Sequence, residues 1–561
     1  MRFAISEQGR EASGVSGMSL AETRTGVTDT GVLRITLRGQ FRIETPEGIE
    51  VTPTGAKAQG LLALVATDRH LRRGRVWLID KLWSDRAQPQ GQASLRQALV
   101  EIRKALGPWA EAFITDRRAV ALDPDMVTVD AGPTAEPGGG TFLEGIDIRD
   151  QEFEDWLRQM RTSFEEESAS GGRLILPEVQ PAHRPQLVLE AHSRPGDPAR
   201  DTEDWFIDVL FRTLGEQFTY DIHFQMPEQA PPGGLVLMKV QSFAQGPLAG
   251  AMRLLVIDMP SGRTLWTETL RPGGGEEGTV ALYALSHRAL RAVSEGLRQA
   301  GCAQSGDPDA NHLAAQALQN MFSMRGAALE KADRQLVAAL ALEERGVFHA
   351  WRAQLAAIRH IEQTGRDRDE LNALSRAACA RALELESQNS SVLSGVANAR
   401  LVLEGDGIAA GNLAQAGVDA NPANPLAWWA LANARLYAGQ AEDAWDAAVM
   451  SQRLAAKSNF RFWTDFQVSL VAAVTGRHRE AIEFGELSGA LAPNFRPPMR
   501  YLTALYAGQG DRENATRAAR QLAEREPGFT LGKLMNDPAY PVSMMRQAGL
   551  LDRARLSELD L

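Results

Sequence analysis

The stretch Ala93–Gly107, ASLRQALVEIRKALG, carries the pattern on which the fold of the N-terminal part depends. Leu95, Leu99, Ile102 and Leu106 recur at the spacing of an α-helix and predict one buried face. The positions between them are rich in Arg, Lys and Gln. The stretch therefore predicts an amphipathic helix with a basic outer surface.

The sequence around this helix, Gly31–Asp130, predicts a sheet, three helices and a closing hairpin. The strand-like segment, the first two helices and the hairpin lie at residues 32–43 (VLRITLRGQFRI), 57–66 (KAQGLLALVA), 75–83 (RVWLIDKLW) and 113–122 (FITDRRAVAL). Three helices followed by a basic hairpin are typical of a DNA-binding unit. The leading hypothesis is therefore a transcriptional regulator that binds promoter DNA.

The charge of the chain is uneven and fits this hypothesis. The whole chain has a net charge of −11, whereas Gly31–Asp130 has fifteen Lys and Arg against twelve Asp and Glu. A basic segment attached to an acidic remainder is typical of an anion-binding module. The excess is small, so the specific positions of the basic residues matter more than their number.

Candidate DNA contacts fall into two groups. The third helix is predicted to run from about Gln92 to Leu106, where arginine can pair with guanine and glutamine with adenine. The base-reading candidates are Gln92, Arg96 and Gln97, and the phosphate or wing candidates are Arg72, Arg73, Arg75, Arg103, Lys104, Arg117 and Arg118. The alternative is that these are ordinary solvated arginines on a helical domain.

Ordered motifs in this part resemble the OmpR/PhoB-type winged helix, in particular the DNA-binding domain of SARP-type regulators. The matching residues are 82–85 (LWSD), 94–99 (SLRQAL), 102–107 (IRKALG) and 127–130 (VTVD), with a following segment at 142–157. The resemblance implies that the loop from Ser84 to Gly91, with Ser84, Asp85 and Arg86, contacts RNA polymerase. In contrast to many SARP-type proteins, the sequence has no GxxxxGK[ST] phosphate-binding motif.

The middle segment, residues 185–300, predicts an α/β domain. Candidate strands lie at residues 186–191, 235–240, 251–258 and 265–270, with helices at 204–217 and 279–297. The strand pair joined by residues 259–263 (MPSGR) and the preceding helix resemble a TolB N-terminal-like module. The resemblance implies a ligand- or protein-interaction role, and a packed spacer domain is the open alternative.

An internal repeat dominates the C-terminal part. Gly405, Gly439, Gly476 and Gly510 recur every 34 to 37 residues, each followed five residues later by an alanine. This pattern resembles the tetratricopeptide repeat, in which two antiparallel helices cross at a small residue. Some of its aromatic residues, Trp428, Trp429, Phe460, Phe462, Trp463 and Phe466, are candidates to line a concave peptide-binding face beside Arg435 or Arg461. Most of these rings are expected to be core.

The predicted fold class is multidomain α+β: an N-terminal winged helix, a middle α/β domain and a C-terminal all-α TPR solenoid. The expected boundaries are a disordered tail 1–30, the winged helix 31–131, a linker with an acidic helix 132–184, the α/β domain 185–300, repeats 309–545 and a C-terminal tail 546–561.

Other classes of protein find little support in the sequence. The two cysteines, Cys302 and Cys379, form no metal-type or CxxC cluster, and the nine histidines are scattered. No cofactor, metal, catalytic residue or membrane contact is therefore expected, and the protein is expected in the cytoplasm at the nucleoid. The expected partners are double-stranded promoter DNA, RNA polymerase, a peptide or protein on the repeats, and a second copy in a homodimer. A non-catalytic TPR scaffold or adaptor is the alternative function.

Overall fold

The computed structural model describes residues 32–68, 71–130, 141–170, 186–227, 235–243, 248–259, 261–301, 310–362 and 367–559. The expected disordered tail 1–30 lies outside these residues, as do parts of the expected linker 132–184. Among the described residues, no helix is both long and apolar enough to cross a bilayer.

The N-terminal unit begins with two short strands and ends with three more. Its described elements are β1 (Leu33–Thr36), β2 (Arg42–Glu44), α1 (Ala56–Ala66), β3 (Arg72–Gly74), α2 (Arg75–Leu82), α3 (Gln88–Leu106), β4 (Phe113–Thr115), β5 (Ala119–Leu122) and β6 (Val127–Asp130). One sheet has the order β2-β1-β6, with β6 parallel to β1, and the other has the order β3-β5-β4. The last strand thus returns to the first and closes the unit.

The predicted apolar stripe of α3 forms the core of this unit. Leu95, Leu99, Ile102 and Leu106 are all buried. The helix begins at Gln88, one turn before the expected start, with Pro89 in its first turn. Proline suits this position because the first turn of a helix needs no amide donor from it. The preceding loop, expected to reach Gly91, is correspondingly short.

The predicted two-strand hairpin is part of a three-stranded sheet. Its third strand is β3, which pairs antiparallel with β5 through Arg73 opposite Val120. The sequence of β3 is Arg-Arg-Gly and has no strand-like alternation of its own. Its strand conformation depends on backbone hydrogen bonding to a neighbour 47 residues away, and local pattern reasoning does not detect such pairing.

The expected acidic helix is α4 (Gln151–Ser170). Its apolar side packs on the N-terminal unit through Phe153 and Trp156, and Trp156 meets Phe142 edge to face with the ring centroids 6.0 Å apart. The helix therefore belongs to the N-terminal unit as a packed element.

The middle unit is a mixed sheet with two helices. Its described elements are β7 (Gln186–Ala191), α5 (Pro198–Gln217), β8 (Asp221–His223), β9 (Leu235–Ser242), β10 (Met252–Asp258), β11 (Arg263–Leu270) and α6 (Gly275–Gly301). The strand order is β11-β10-β9-β7-β8. The predicted strands all form, and the sequence analysis missed β8, a three-residue strand parallel to β7. Helices α5 and α6 contact each other and the sheet.

The C-terminal part is a series of helix pairs. The helices are α7 (Ala310–Phe322), α8 (Gly326–Leu342), α9 (Gly346–Ile361), α10 (Arg368–Glu386), α11 (Ser390–Ala399), α12 (Gly407–Ala420), α13 (Pro425–Tyr437), α14 (Ala441–Ala455), α15 (Arg461–Val474), α16 (His478–Leu491), α17 (Pro497–Gln509) and α18 (Arg512–Arg525). One turn of π-helix, Arg400–Glu404, continues α11. Sequential helices pack against each other, as a repeat array requires.

The repeat glycines have the conformation that their role demands. Gly405, Gly439, Gly476 and Gly510 have φ between +73° and +82°, the left-handed region that favours glycine. The alanines five residues after them, Ala410, Ala444, Ala481 and Ala515, are fully buried. A small residue at each crossing lets the two helices approach closely. The tetratricopeptide-type repeat predicted from these residues is thus present.

Three short helices follow the last repeat: α19 (Leu531–Asn536), α20 (Ser543–Gln547) and α21 (Arg553–Ser557). The last of them lies in the expected C-terminal tail, but it packs against α17 and buries Leu556. Arg555 also donates to the backbone carbonyls of Ala507 and Gly508. The end of the chain therefore caps the array.

Candidate functional site

The outer side of α3 carries the predicted base-reading residues. Gln92, Arg96 and Gln97 are exposed there, and Arg103 and Lys104 are exposed nearer the helix end. The buried stripe fixes which side of the helix faces the core, so the exposure of these five polar side chains follows from the same periodicity. Their identity as DNA contacts stays a prediction.

The turn between β4 and β5 presents two further arginines. Arg117 and Arg118 are exposed, and the turn is held by Asp116, which accepts hydrogen bonds from the backbone N–H groups of Arg118 at 2.6 Å and Ala119 at 2.7 Å. These hydrogen bonds lower the pKa of Asp116. Arg72 on β3 forms an ion pair with Asp116 at 2.8 Å. Asp116 therefore shapes the turn and neutralises Arg72.

Several of the arginines near α3 form no ion pair. In the described part of the chain, no carboxylate lies within 4 Å of the guanidinium groups of Arg75, Arg96, Arg117 or Arg118. Burial lowers the pKa of Arg75, the negative charge of Asp116 opposes this shift, and the positive charges of Arg103 and Arg96 add to it. The result is a local excess of positive charge that favours a bound anion.

Arg73 occupies a different environment from the one expected for a phosphate contact. Its side chain is 7% exposed and its guanidinium lies over Trp77, 4.4 Å from the ring centroid. It forms an ion pair with Asp68 at 3.2 Å and donates to the backbone oxygen of Glu384, on α10, at 3.1 Å. Arg73 therefore joins the N-terminal unit to the repeats and is not accessible to a duplex.

The loop expected to contact RNA polymerase is largely engaged in internal contacts. The backbone N–H and the hydroxyl of Ser84 both donate to Asp150, each at 2.9 Å. Arg86 donates to Ser94 at 2.6 Å, and its backbone oxygen accepts from Asn412 of α12 at 2.8 Å. Asp85 is exposed. Of the three named residues, Asp85 and the guanidinium of Arg86 lie on the surface.

A buried charge cluster that the sequence analysis missed joins the N-terminal unit to the repeats. Arg400 donates to Asp80 of α2 at 2.6 Å and lies 3.1 Å from Glu152 of α4. Lys81 donates to Glu152 at 2.6 Å. Arg400 offered no sequence signal, since a single arginine late in a repeat helix is usually solvated.

The three units enclose a cavity of about 580 Å³ next to α3, here called the central cleft. One wall is formed by α2, α3 and the β4–β5 turn, another by α5, and the third by α11 and α12. Of the predicted site residues, it brings together Arg75, Ser84, Gln92, Arg96, Arg117 and Arg118. The residues outside its lining are Arg72, Arg73, Asp85, Arg86, Gln97, Arg103 and Lys104.

The aromatic residues of the repeats serve mainly as core. Trp429 and Trp463 are buried with ring centroids 4.6 Å apart, and Phe322 of α7 packs against Trp463 at 5.4 Å. Arg461 pairs with Asp465 at 3.2 Å, and Arg435 donates to the backbone oxygen of Asp443 at 3.1 Å. A peptide-binding role for these residues stays a prediction.

The described residues contain no group of three or more His, Cys, Asp or Glu arranged to hold a metal ion. Cys379 is buried, and burial raises the pKa of its thiol to about 12. A thiol with such a pKa is a poor nucleophile at neutral pH.

Comparison with known proteins gives structural matches that each cover about a third of this chain. No family model matches the sequence, and no curated protein matches it. Among solved structures, the chain is similar to YrrB, described as a TPR protein with an unusual peptide-binding site, at 16% identity and a TM-score of 0.22, over 34% of this chain and 93% of that one. It is also similar to the MamA protein at 19% identity and a TM-score of 0.23, over 33% of this chain and 96% of that one.

Proposed function

We propose that this protein is a DNA-binding transcriptional regulator in which α3 reads the major groove and the β4–β5 turn contacts the DNA backbone. The observation that carries the proposal is the excess of positive charge on one surface of the N-terminal unit. Arg96 lies on that surface between Gln92 and Gln97, and these residue types read guanine and adenine edges.

The order of elements supports the same function. A β-sheet, three helices and a strand pair that closes on β3 are the layout expected for a winged helix, in which the third helix enters the major groove. Arg103 and Lys104, near the end of α3, and Arg117 and Arg118, in the β4–β5 turn, are proposed to contact phosphates. Phosphate contacts orient the protein, whereas base contacts specify the sequence.

Access to this surface depends on the other two units. Gln92 and Arg96 line the central cleft, opposite Phe211 of α5 and Asn412 of α12. A cleft of about 580 Å³ has room for a small molecule but not for a B-DNA duplex, whose major groove alone admits a whole α-helix. DNA binding by α3 therefore requires the N-terminal unit to move away from α5 and α12. The middle unit and the repeats are proposed to control that movement.

A second candidate function is a scaffold or adaptor. It is favoured by the buried contact of Asp80 with Arg400, which fastens the N-terminal unit to the repeats. In this function the N-terminal unit caps the array, and the repeats bind a peptide or protein. The two candidates differ in whether α3 binds DNA.

The test measures binding of the full chain to a fluorescently labelled 30-base-pair duplex over a range of salt concentrations. Selection of duplexes from a random pool supplies the preferred sequence. The regulator proposal expects binding that falls steeply with salt, because phosphate contacts release counterions. Arg96→Ala is expected to abolish the sequence preference, and Lys104→Ala to lower the salt slope by about one.

The matched control is Arg479→Ala, which removes an exposed arginine on α16, far along the chain from α3. It is expected to leave DNA binding unchanged. If the wild-type chain binds DNA weakly and Arg479→Ala reduces that binding as much as Arg96→Ala does, the binding is nonspecific. That result contradicts the regulator proposal and favours the adaptor.

A further inference from the structure

The central cleft combines two features that occur together in sites for small charged molecules. It has a volume of about 580 Å³, within the range that encloses a drug-sized ligand. It is also lined by residues from all three units. A molecule held there contacts the N-terminal unit, α5 and the repeats at once.

The polar part of the lining is strongly positive. Of the described residues that form it, five are arginines and three are acids: Arg75, Arg96, Arg117, Arg118 and Arg212 against Asp80, Glu216 and Asp419. The Nε atom of Arg75 is buried and has no hydrogen-bond partner among the described residues. A buried donor of this kind is costly unless something accepts from it.

The three acids do little to offset the arginines. Asp80 is paired with Arg400, which offsets its charge. Burial raises the pKa of Glu216 to about 8, so this carboxyl is largely uncharged at neutral pH. Asp419 is exposed, so solvent and salt screen its charge. The field inside the cleft therefore favours an anion.

The lining also has an apolar part. It includes Val76, Leu95, Phe211, Leu393 and Leu413, and Phe211 is 45% exposed although it is a large aromatic residue. An inorganic ion would satisfy the arginines and leave this surface wet. A molecule with an apolar body covers the same surface and is stabilised by the apolar area that it removes from water.

We propose that the central cleft binds one small organic anion, with its acid group among Arg75, Arg96, Arg118 and Arg212 and its apolar body against Phe211 and Leu413. Because Arg96 and Arg118 are also the residues offered to DNA, such a ligand and a duplex exclude each other. This exclusion rests on the proposed DNA-binding function, whereas the binding site itself does not.

The experiment uses the full-length protein and two probes that differ by one anionic sulfonate group. One is 8-anilinonaphthalene-1-sulfonate, an anion, and the other is N-phenyl-1-naphthylamine, which has the same ring system without the sulfonate. Binding is measured by fluorescence titration and by calorimetry. The anion is expected to bind once per chain and at least tenfold more tightly than the neutral probe.

The variants distinguish binding of the anion in the cleft from binding elsewhere on the surface. Arg96→Gln and Arg212→Gln each remove an exposed arginine of the lining, and each is expected to weaken binding of the anion about tenfold. Arg103→Gln, on the same helix as Arg96 but outside the lining, is expected to change it less than twofold. Equal weakening by all three variants, or equal affinity for both probes, overturns the proposal.

The ligand site and the DNA-binding function can be contradicted independently of each other. Arg212 is on α5 and is not among the proposed DNA contacts, so Arg212→Gln tests the ligand site without touching α3. If the wild type binds no DNA and Arg212→Gln still weakens the anion, the ligand site stands and the regulator function falls. If DNA binds and the anion does not displace it, the exclusion is contradicted.

Discussion

Arg400 and Asp80 form a buried ion pair across the junction of the repeats and the N-terminal unit, with Nη1 and Oδ1 2.6 Å apart and side chains 3% and 4% exposed. The pair is part of a four-residue cluster with Glu152 and Lys81. Burial opposes ionisation of Glu152, but the charges of Arg400 and Lys81 prevail and lower its pKa to about 2. The junction therefore depends on charges that balance only when the units are together.

Asp80→Ala is expected to lower the free energy of unfolding by about 3–5 kcal/mol, because it leaves Arg400 buried without its closest partner. Urea denaturation measures the change, and hydrogen exchange is expected to show lost protection in α2 and α11. Asp85→Ala is the control, since Asp85 is exposed on the loop after α2. Equal stability of the two variants would show that the pair does not hold the junction.

The buried carboxyl of Glu362 is expected to make the stability of the fold fall as the pH rises. Its carboxyl is 2% exposed, its oxygens have no hydrogen-bond partner among the described residues, and burial raises its pKa to about 7 despite Arg500 and Arg496 nearby. The folded protein therefore retains a proton that the unfolded chain loses near pH 4.5. Its contribution to stability is present below that pH and is lost as the pH rises through about 7.

The measurement is the free energy of unfolding at pH 5 and pH 8 for the wild type and Glu362→Gln. The wild type is expected to lose on the order of 2 kcal/mol more than the variant over this interval, because the amide does not titrate. The same slope in both proteins would contradict the raised pKa of Glu362.

Gly476→Ala tests the left-handed turn between α15 and α16. The glycine has φ +76°, and an added Cβ would have nothing within 4 Å, so the cost comes from the backbone alone. We expect a loss of about 1–2 kcal/mol in the free energy of unfolding. Gly476→Asn is expected to lose less, because asparagine tolerates this conformation better. Equal effects of the two substitutions would refute a conformational cause.

Ala515→Leu tests the close crossing of α17 and α18. Ala515 is fully buried, so a larger side chain overpacks the crossing and is expected to cost about 1–3 kcal/mol by urea denaturation. Ala523→Leu, on the exposed side of the same helix, is expected to change stability by less than about 0.5 kcal/mol. A tolerated leucine at position 515 would mean that small size is not required there.

Periodic features were predictable from the sequence. The glycine and alanine spacing indicated helix pairs that turn at Gly439, Gly476 and Gly510, and the structure has them. The stripe of Leu95, Leu99 and Ile102 set the buried side of α3 for the same reason. Such patterns recur at regular intervals, within one helix or from one helix pair to the next, so they can be recognised without knowledge of the tertiary contacts.

Short strands were harder to predict from the sequence. The sheet of the middle unit was expected from its apolar runs, but β8 was not, because three residues carry too little pattern. Likewise β3 was expected as a stretch of surface arginines. Its conformation comes from pairing with β5, and strand pairing depends on the neighbour as much as on the strand.

The sequence by itself determined which residue types face outward on α3, where the repeats turn and which segments form the larger sheet. Only the tertiary structure decided that Arg73 is buried against Trp77, that Arg400 pairs with Asp80 across 320 residues of chain, and that Arg96 and Arg212 line one cleft. The physical reason is the distance along the sequence between the residues that decide each feature. Helix and strand periodicity records the burial of one element, whereas the partner of a charge depends on which distant element covers it.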